Sequence, residues 1–470
     1  MRHCRHQSIN RPRLLIAAAL LAITLGTAQL HADVKPADVF SSNMVLQRDR
    51  ELPVWGTATP GEAVTVEFAG NKASTVTDPR GRWQVKLPAH AVSADPLKMT
   101  ITGKNKIELD NILVGEVWMC SGQSNMQFAV VSSKDGAKEV ADANYPNIRL
   151  FLVPTVQLRA PTEIVNARWN VCSPQTVGGF SAPGYFFGRE LHKELKVPIG
   201  LIANAWGGRR IEPFTPAVGV DAVPALAGKP QGELSIIYNG MIAPIAPYPI
   251  RGAIWYQGES NASEGMLYAD RMRAMIAGWR KVWNQGDFPV YWAQIAPFRY
   301  GGSQYMLPEL WEAQTAALDI PHTGMAVLTD IGNPGDIHPN NKQDVGARLA
   351  RWALNRDYGR KDIVPSGPLY KSMKADGKKI FVNFAYADGG LKSRDDKPLT
   401  HFEIAGADGK FVPAKATIEG ATVVVEADGV AEPTQVRFCW DGIANPNLVN
   451  NVGLPAGPFR SQDWRGATGE

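Results

Sequence analysis

Apolar and polar positions change rhythm three times along this chain. Between residues 33 and 110 the period is two. Val64-Thr65-Val66-Glu67-Phe68 and Trp83-Gln84-Val85-Lys86-Leu87 alternate, as strands with one buried face do. Thr59-Pro60-Gly61, Asp78-Pro79-Arg80-Gly81 and Ala94-Asp95-Pro96 punctuate the segment, so a small β-sandwich is expected there. From 111 to 362 strand-like runs alternate with helical ones. Strands are expected over 112–119, 148–153, 199–205, 252–256, 290–295 and 325–329, and helices over 185–195, 267–283, 308–318 and 343–354. In the second of these helices Met272, Met275, Ile276 and Trp279 share one stripe, the mark of an amphipathic helix. Such alternation implies a parallel sheet covered on both faces. From 363 to 470 short strands return, over 380–384, 401–404, 421–425 and 435–440. The expected class is therefore α/β, a doubly wound parallel sheet flanked by N- and C-terminal β domains.

The first 32 residues differ in kind. Arg2, Arg5, Arg11 and Arg13 precede an apolar run from Leu14 to Leu25, followed by Gly26, Thr27 and Ala28, with Ala32 beyond. The run is shorter than the roughly 20 residues that span a bilayer. It reads as a secretory signal peptide cleaved after Ala28 or Ala32, which places the protein in the periplasm or outside the cell. A buried core helix is the other reading.

That expectation changes the charge balance. The chain carries 49 basic and 45 acidic side chains. The four arginines are the only formal charges before Asp33, so the remainder is balanced at 45 of each. A neutral surface offers no global field for nucleic acid or anionic lipid. Cys120, Cys172 and Cys439 remain after residue 32. An odd number leaves at least one thiol free, and none of the spacings suits a metal. Cys120 reads either as a small buried hydrophobe or as a thiol beside the reacting centre.

Ligands of open α/β sheets bind beyond the carboxyl ends of the strands, and four junctions there are rich in polar residues. Gly122-Gln123-Ser124-Asn125-Met126 holds a serine in a tight turn. Ser124 reads as a nucleophile whose turn supplies an oxyanion donor, or as a helix cap. Asn204-Ala205-Trp206-Gly207-Gly208 is a second junction, either a close backbone approach to a ligand or a plain turn. In Trp255-Tyr256-Gln257-Gly258-Glu259-Ser260-Asn261, Gln257 could donate to an oxyanion. Glu259 could hold a sugar hydroxyl or a loop network. The fourth is Asp330 with Asp336-Ile337-His338-Pro339. A serine needs a base, usually histidine, and the histidine needs a carboxylate. His338 and Asp336 fit those roles. Gln123, Trp206, Glu259 and Asn261 are the expected substrate contacts.

Residues 115–126, Gly-Glu-Val-Trp-Met-Cys-Ser-Gly-Gln-Ser-Asn-Met, resemble the nucleophile block of the sialate O-acetylesterase family of SGNH hydrolases. So do Trp206-Gly207-Gly208 with Ile211-Glu212, Tyr238 to Pro244, Trp255 to Asn261, Asp336 to Pro339, and a tail from Gly453 to Ala456 with Pro458-Phe459-Arg460. The resemblance implies an SGNH-type fold and an acetylesterase acting on carbohydrate without cofactor or metal. It implies Ser124 as nucleophile and His338 as base, with an oxyanion hole from the Ser124 amide, Gly207 or Gly208, and the Gln257 side chain. Many SGNH enzymes carry the acid three residues before the histidine, where this chain has Gly335. The acid is then Asp336 or, second, Asp330. The stretch from Thr215 to Leu234 is too short for the β domain that some relatives insert.

Substrate identity is open at this level. A sialate carboxylate calls for an arginine fork, and Arg209 and Arg210 are placed for one. Acetylated xylan or xyloglucan calls for aromatic platforms, for which Trp206, Trp255 and Trp311 are available. A non-catalytic carbohydrate-binding protein and a lipase or thioesterase of the same fold are the competing functions.

Overall fold

The computed structural model describes residues 33–462 beside Met1. The expected signal peptide over 2–32 therefore lies outside the described residues.

One strand organises the molecule. β1 (Lys106–Gly122) is 17 residues long and belongs to two regions at once. Its first half pairs antiparallel with Ser93–Thr102 in the N-terminal β region. Its second half lies between two parallel neighbours of the central sheet. The pattern changes along the strand accordingly. Residues 106–111 alternate in burial, and every residue from Ile112 to Gly122 is buried. A strand buried on both faces needs such a continuous apolar run. The boundary expected at 110 and 111 thus falls inside one uninterrupted strand.

The other central strands are β2 (Tyr145–Leu152), β3 (Trp169–Cys172), β4 (Ile199–Ala205), β5 (Gly252–Tyr256), β6 (Val290–Ala293) and β7 (Thr323–Ala326). Their spatial order is β3-β2-β4-β1-β5-β6-β7. All are parallel except β3, which runs antiparallel along the β2 edge. The chain builds one side of β1 first and then crosses to the other. The carboxyl end of β1, between β4 and β5, is therefore the switch point where such sheets bind ligands.

Five helices matter here: α1 (Ser124–Gln127), α2 (Ala182–Leu195), α3 (Leu267–Trp283), α4 (Met306–Ala316) and α5 (Lys342–Asp357). α2 packs on α5, and α3 on α4. Ser181 caps α2 by accepting the Gly184 amide at 3.2 Å. Asn341 caps α5 by accepting the Asp344 amide at 3.2 Å, and a cap of this kind stabilises a helix by about 1 kcal/mol. The stripe expected on α3 is buried: Met272, Met275, Ile276 and Trp279 have no exposed surface.

The C-terminal region forms small antiparallel sheets around Lys379–Ala385, Thr422–Glu426 and Gln435–Phe438. Its tail returns to the centre of the molecule. Phe459 stacks on Tyr370 at 4.4 Å, and Arg460 forks onto Glu312 of α4 with two bonds of 2.9 Å. Cys120, Cys172 and Cys439 are buried free thiols. Burial pushes the Cys120 thiol far above its ordinary range. It packs against Gly184, as a small hydrophobe would, and no thiolate is available there.

Candidate active site

The turn that carries Ser124 is knitted to its neighbours on both sides. The Gln123 amide donates to the Tyr256 carbonyl at 3.0 Å, and the Trp206 amide donates to the Gly122 carbonyl at 2.9 Å. The ends of β4, β1 and β5 are thereby held in line. Gly122 has φ +145°, and a Cβ there would lie 2.2 Å from the Tyr256 oxygen. Only glycine fits that turn. Ser124 follows as the first residue of α1, and its amide has no acceptor within the helix.

His338 comes from the loop between β7 and α5. Its Nε2 lies 2.8 Å from Ser124 Oγ, a distance at which a neutral imidazole accepts the hydroxyl proton. Phe128 stacks beside the imidazole, with centroids 6.4 Å apart and planes at 28°. The Asp336 carboxylate accepts the His338 backbone amide at 2.9 Å. Its nearest approach to His338 Nδ1 is 3.9 Å, an ion-pair distance beyond a hydrogen bond. Asp330, the other carboxylate considered, is clasped by Arg348 through two bonds of 2.6 Å and is not free to orient a histidine. Partial burial lowers the His338 pKa, the Lys342 charge lowers it further, and Asp336 opposes both.

Gly207 sits against the nucleophile, its Cβ direction meeting Ser124 Cβ at 3.3 Å. Its amide donates to Gln127 Oε1 at 2.8 Å. Gly208 takes a left-handed φ of +69° with open space around it, so it forms the turn and stands clear of Ser124. Gln127 also borders a cavity of about 270 Å³ lined by Leu152, Val153, Pro154 and Ser181.

Several sequence expectations need correction. Gln257, expected as an oxyanion donor, is fully buried. Its Nε2 donates to the Arg209 carbonyl at 3.2 Å and to Asn261 Oδ1 at 2.8 Å, and its Oε1 accepts the Tyr268 hydroxyl at 2.8 Å. Both ends of the amide are spent on structure. Asn261, expected at the substrate, is also fully buried. It accepts the Ile211 amide at 3.0 Å and donates to Glu212 and Glu264. Gln123 is buried and accepts the Ser260 amide at 3.3 Å. Glu259 turns its carboxylate inward onto Asn125, and only Trp206 of the expected contacts is half-exposed, with the Arg209 guanidinium 4.5 Å from its ring. Trp255 and Trp311 are core residues without exposed surface. Arg210 is held by Glu212 and Glu264.

Three residues beside the pair were not anticipated as site residues. Asn125 donates to the carbonyl of Ile337 at 3.0 Å, fastening the histidine loop to the nucleophile turn. Gln127 occupies the Gly207 amide. Lys342, fully buried, donates its ammonium to Asn125 Oδ1. Burial drives the Lys342 pKa down to about 7 against the pull of Glu259 and Asp336. It likewise pushes the Glu259 carboxyl up. The position of Asn125 within the polar turn was a usable signal; a lysine at a helix start carried none.

A family of carbohydrate esterases, described as sialic acid-specific acetylesterases, matches residues 114–355. The chain is 29% identical to the rat sialate O-acetylesterase over 86% of its length and 89% of the relative's. It is 28% identical to the human one, over 95% and 96%. A solved carbohydrate acetylesterase from Xanthomonas citri superposes with a TM-score of 0.86 at 38% identity, covering 92% of this chain and all of the other. A serine beside a histidine at the switch point of an α/β sheet, within a match of that extent, leaves one assignment: the chain belongs to the sialic acid-specific acetylesterase family and is a carbohydrate O-acetylesterase.

Proposed function

We propose that this enzyme is a serine esterase of the SGNH type that deacetylates a sugar through an acetyl-enzyme. The observation that carries the reading is the 2.8 Å approach of His338 Nε2 to Ser124 Oγ. His338 takes the hydroxyl proton as Oγ attacks the acetyl carbonyl carbon. The tetrahedral oxyanion rests on the Ser124 amide and on the Gly207 amide, which exchanges Gln127 Oε1 for the substrate oxygen. One such donor is worth roughly 3 kcal/mol of barrier. The intermediate collapses, His338 returns the proton to the departing sugar oxygen, and acetyl-serine remains. Water then attacks with His338 again as base, releasing acetate and restoring the serine. Asp336 contributes as a partly exposed electrostatic partner of the imidazolium.

The substrate we favour is an acetylated sialic acid. The family description and the names of the relatives support it. So does Arg209, which lies beside Trp206 near the Ser124 turn and is engaged only by exposed Glu233 at 3.5 Å, a contact weak enough to yield to a substrate carboxylate. The division into a β region to residue 110, a catalytic region over 111–362 and a β region over 363–470, with export directed by residues 1–32, belongs to the same reading.

The test is acetate release from acetylated sialic acid, acetylated xylan, acetylated xyloglucan and an aryl acetate, with Ser124→Ala alongside. Release from the sialic acid that is lost in the variant supports both parts. Release from a neutral polysaccharide alone refutes the substrate, and full activity in a folded Ser124→Ala protein refutes the mechanism.

A further inference from the structure

Lysine is an unfavourable residue where Lys342 stands. It opens α5, where the helix dipole repels cations, and it has no exposed surface. A buried ammonium loses hydration that only close partners replace. Yet no carboxylate lies within ion-pair distance of it among the described residues; its bonded partner is the neutral Asn125 side chain. Asn125 in turn donates to Glu259 Oε1 at 2.5 Å and to the Ile337 carbonyl. One amide thus joins a buried cation, a buried carboxylate and the residue preceding the catalytic histidine. The ammonium also lies 4.8 Å from the centre of the Phe128 ring that stacks on His338.

Resting on the serine-esterase reading above, we propose that Lys342 is a positioning residue that seats His338 on Ser124 through Asn125 and whose charge keeps the imidazole in its proton-accepting form. The groups facing Lys342 are Glu259 from the β5 loop, Asp336 and His338 from its own loop, and the phenol rings of Tyr256 and Tyr300 near Glu259. Glu259 and Asp336 hold the proton on Lys342. Below neutral pH, where the imidazole would charge, Lys342 is therefore protonated and opposes it. Glu259 Oε2 and the hydroxyls of Tyr256 and Tyr300 are enclosed without a hydrogen-bond partner, so the pocket has little spare polarity to screen the ammonium. The low local dielectric strengthens its effect on His338.

The experiment is the pH dependence of kcat/KM on an aryl acetate for the unsubstituted enzyme, Lys342→Met and Lys342→Arg. Methionine keeps the chain length and removes the charge. The ratio of kcat/KM at about pH 6 to that at about pH 8 is expected to fall roughly threefold in Lys342→Met, because the acidic limb moves to higher pH. Lys342→Arg is expected to hold the limb near its original place. A limb that stays put in a folded Lys342→Met protein overturns the inference while leaving the serine mechanism intact. An unsubstituted enzyme without any acidic limb overturns both. NMR titration of His338 in the unsubstituted protein needs no variant. Titration below the ordinary imidazole range supports the role, and titration at or above that range refutes it.

Discussion

Two polar loops leave adjacent strands of the same sheet, and their side chains meet opposite fates. The loop after β1 exposes the Ser124 hydroxyl to a histidine from a distant segment. The loop after β5 is just as polar, yet Gln257 and Asn261 have no exposed surface and direct their amides at one another, at Arg209 and at buried carboxylates. Polar density at a strand end marks the region of a site without telling which residues react. The discriminating property is whether a side chain's hydrogen-bonding capacity is already filled. A saturated amide holds the wall in place, and an unsaturated hydroxyl beside a base can do chemistry.

Substitutions can break this contrast. The largest effect is expected from Ser124→Ala, which should lower kcat by about 10⁴-fold or more with an almost unchanged melting temperature, since one oxygen is lost from a partly exposed site. Wild-type turnover in that variant would erase the distinction. Gln257→Leu should do the reverse. Leaving Tyr268 and Asn261 unpartnered costs about 1–3 kcal/mol of stability. Calorimetry should show the loss, while kcat measured well below the melting point changes by less than about tenfold. A Gln257→Leu enzyme of normal stability and abolished turnover would return the residue to the oxyanion hole.

Smaller effects sharpen the comparison. A buried triad aspartate can be worth about 10⁴-fold. Asp336 is half-exposed and stands 3.9 Å from the imidazole, so Asp336→Asn should cost far less, roughly tenfold. Asp336 raises the His338 pKa, so its removal should carry the acidic limb of kcat/KM to lower pH. The smallest signature is the wild-type limb itself. His338 must be neutral to accept a proton, and its pKa lies below the ordinary imidazole range. Activity should therefore persist at pH values where a solvent-exposed histidine would already be charged.

Periodicity and apolar runs made the central sheet legible. β4 and β5 occupy the expected residues, and the helices fall within a few residues of expectation. The short β3 escaped because four residues on an antiparallel edge carry little pattern. Leu369–Asp376 escaped because it turns mostly exposed residues outward after its first two. Ser124 and His338 were legible because their chemistry needs one another. The fate of Gln257, the neighbourhood of Lys342 and the clasp of Arg348 on Asp330 were not, because each depends on where a side chain points after distant segments have met.

The continuity of β1 bears on how the chain is made. Its first half closes early, against Ser93–Thr102 only a few residues upstream. Its second half must wait for Ile199–Ala205 and Gly252–Tyr256 to be synthesised. Until then the growing polypeptide presents Ile112 to Cys120, a nearly unbroken apolar β segment, from a module that has already set. Segments of that composition seek any free strand edge, and waiting intermediates are prone to self-association. The same strand that aims the nucleophile therefore makes nascent copies of this enzyme clients for holding factors and sensitive to the rate of translation.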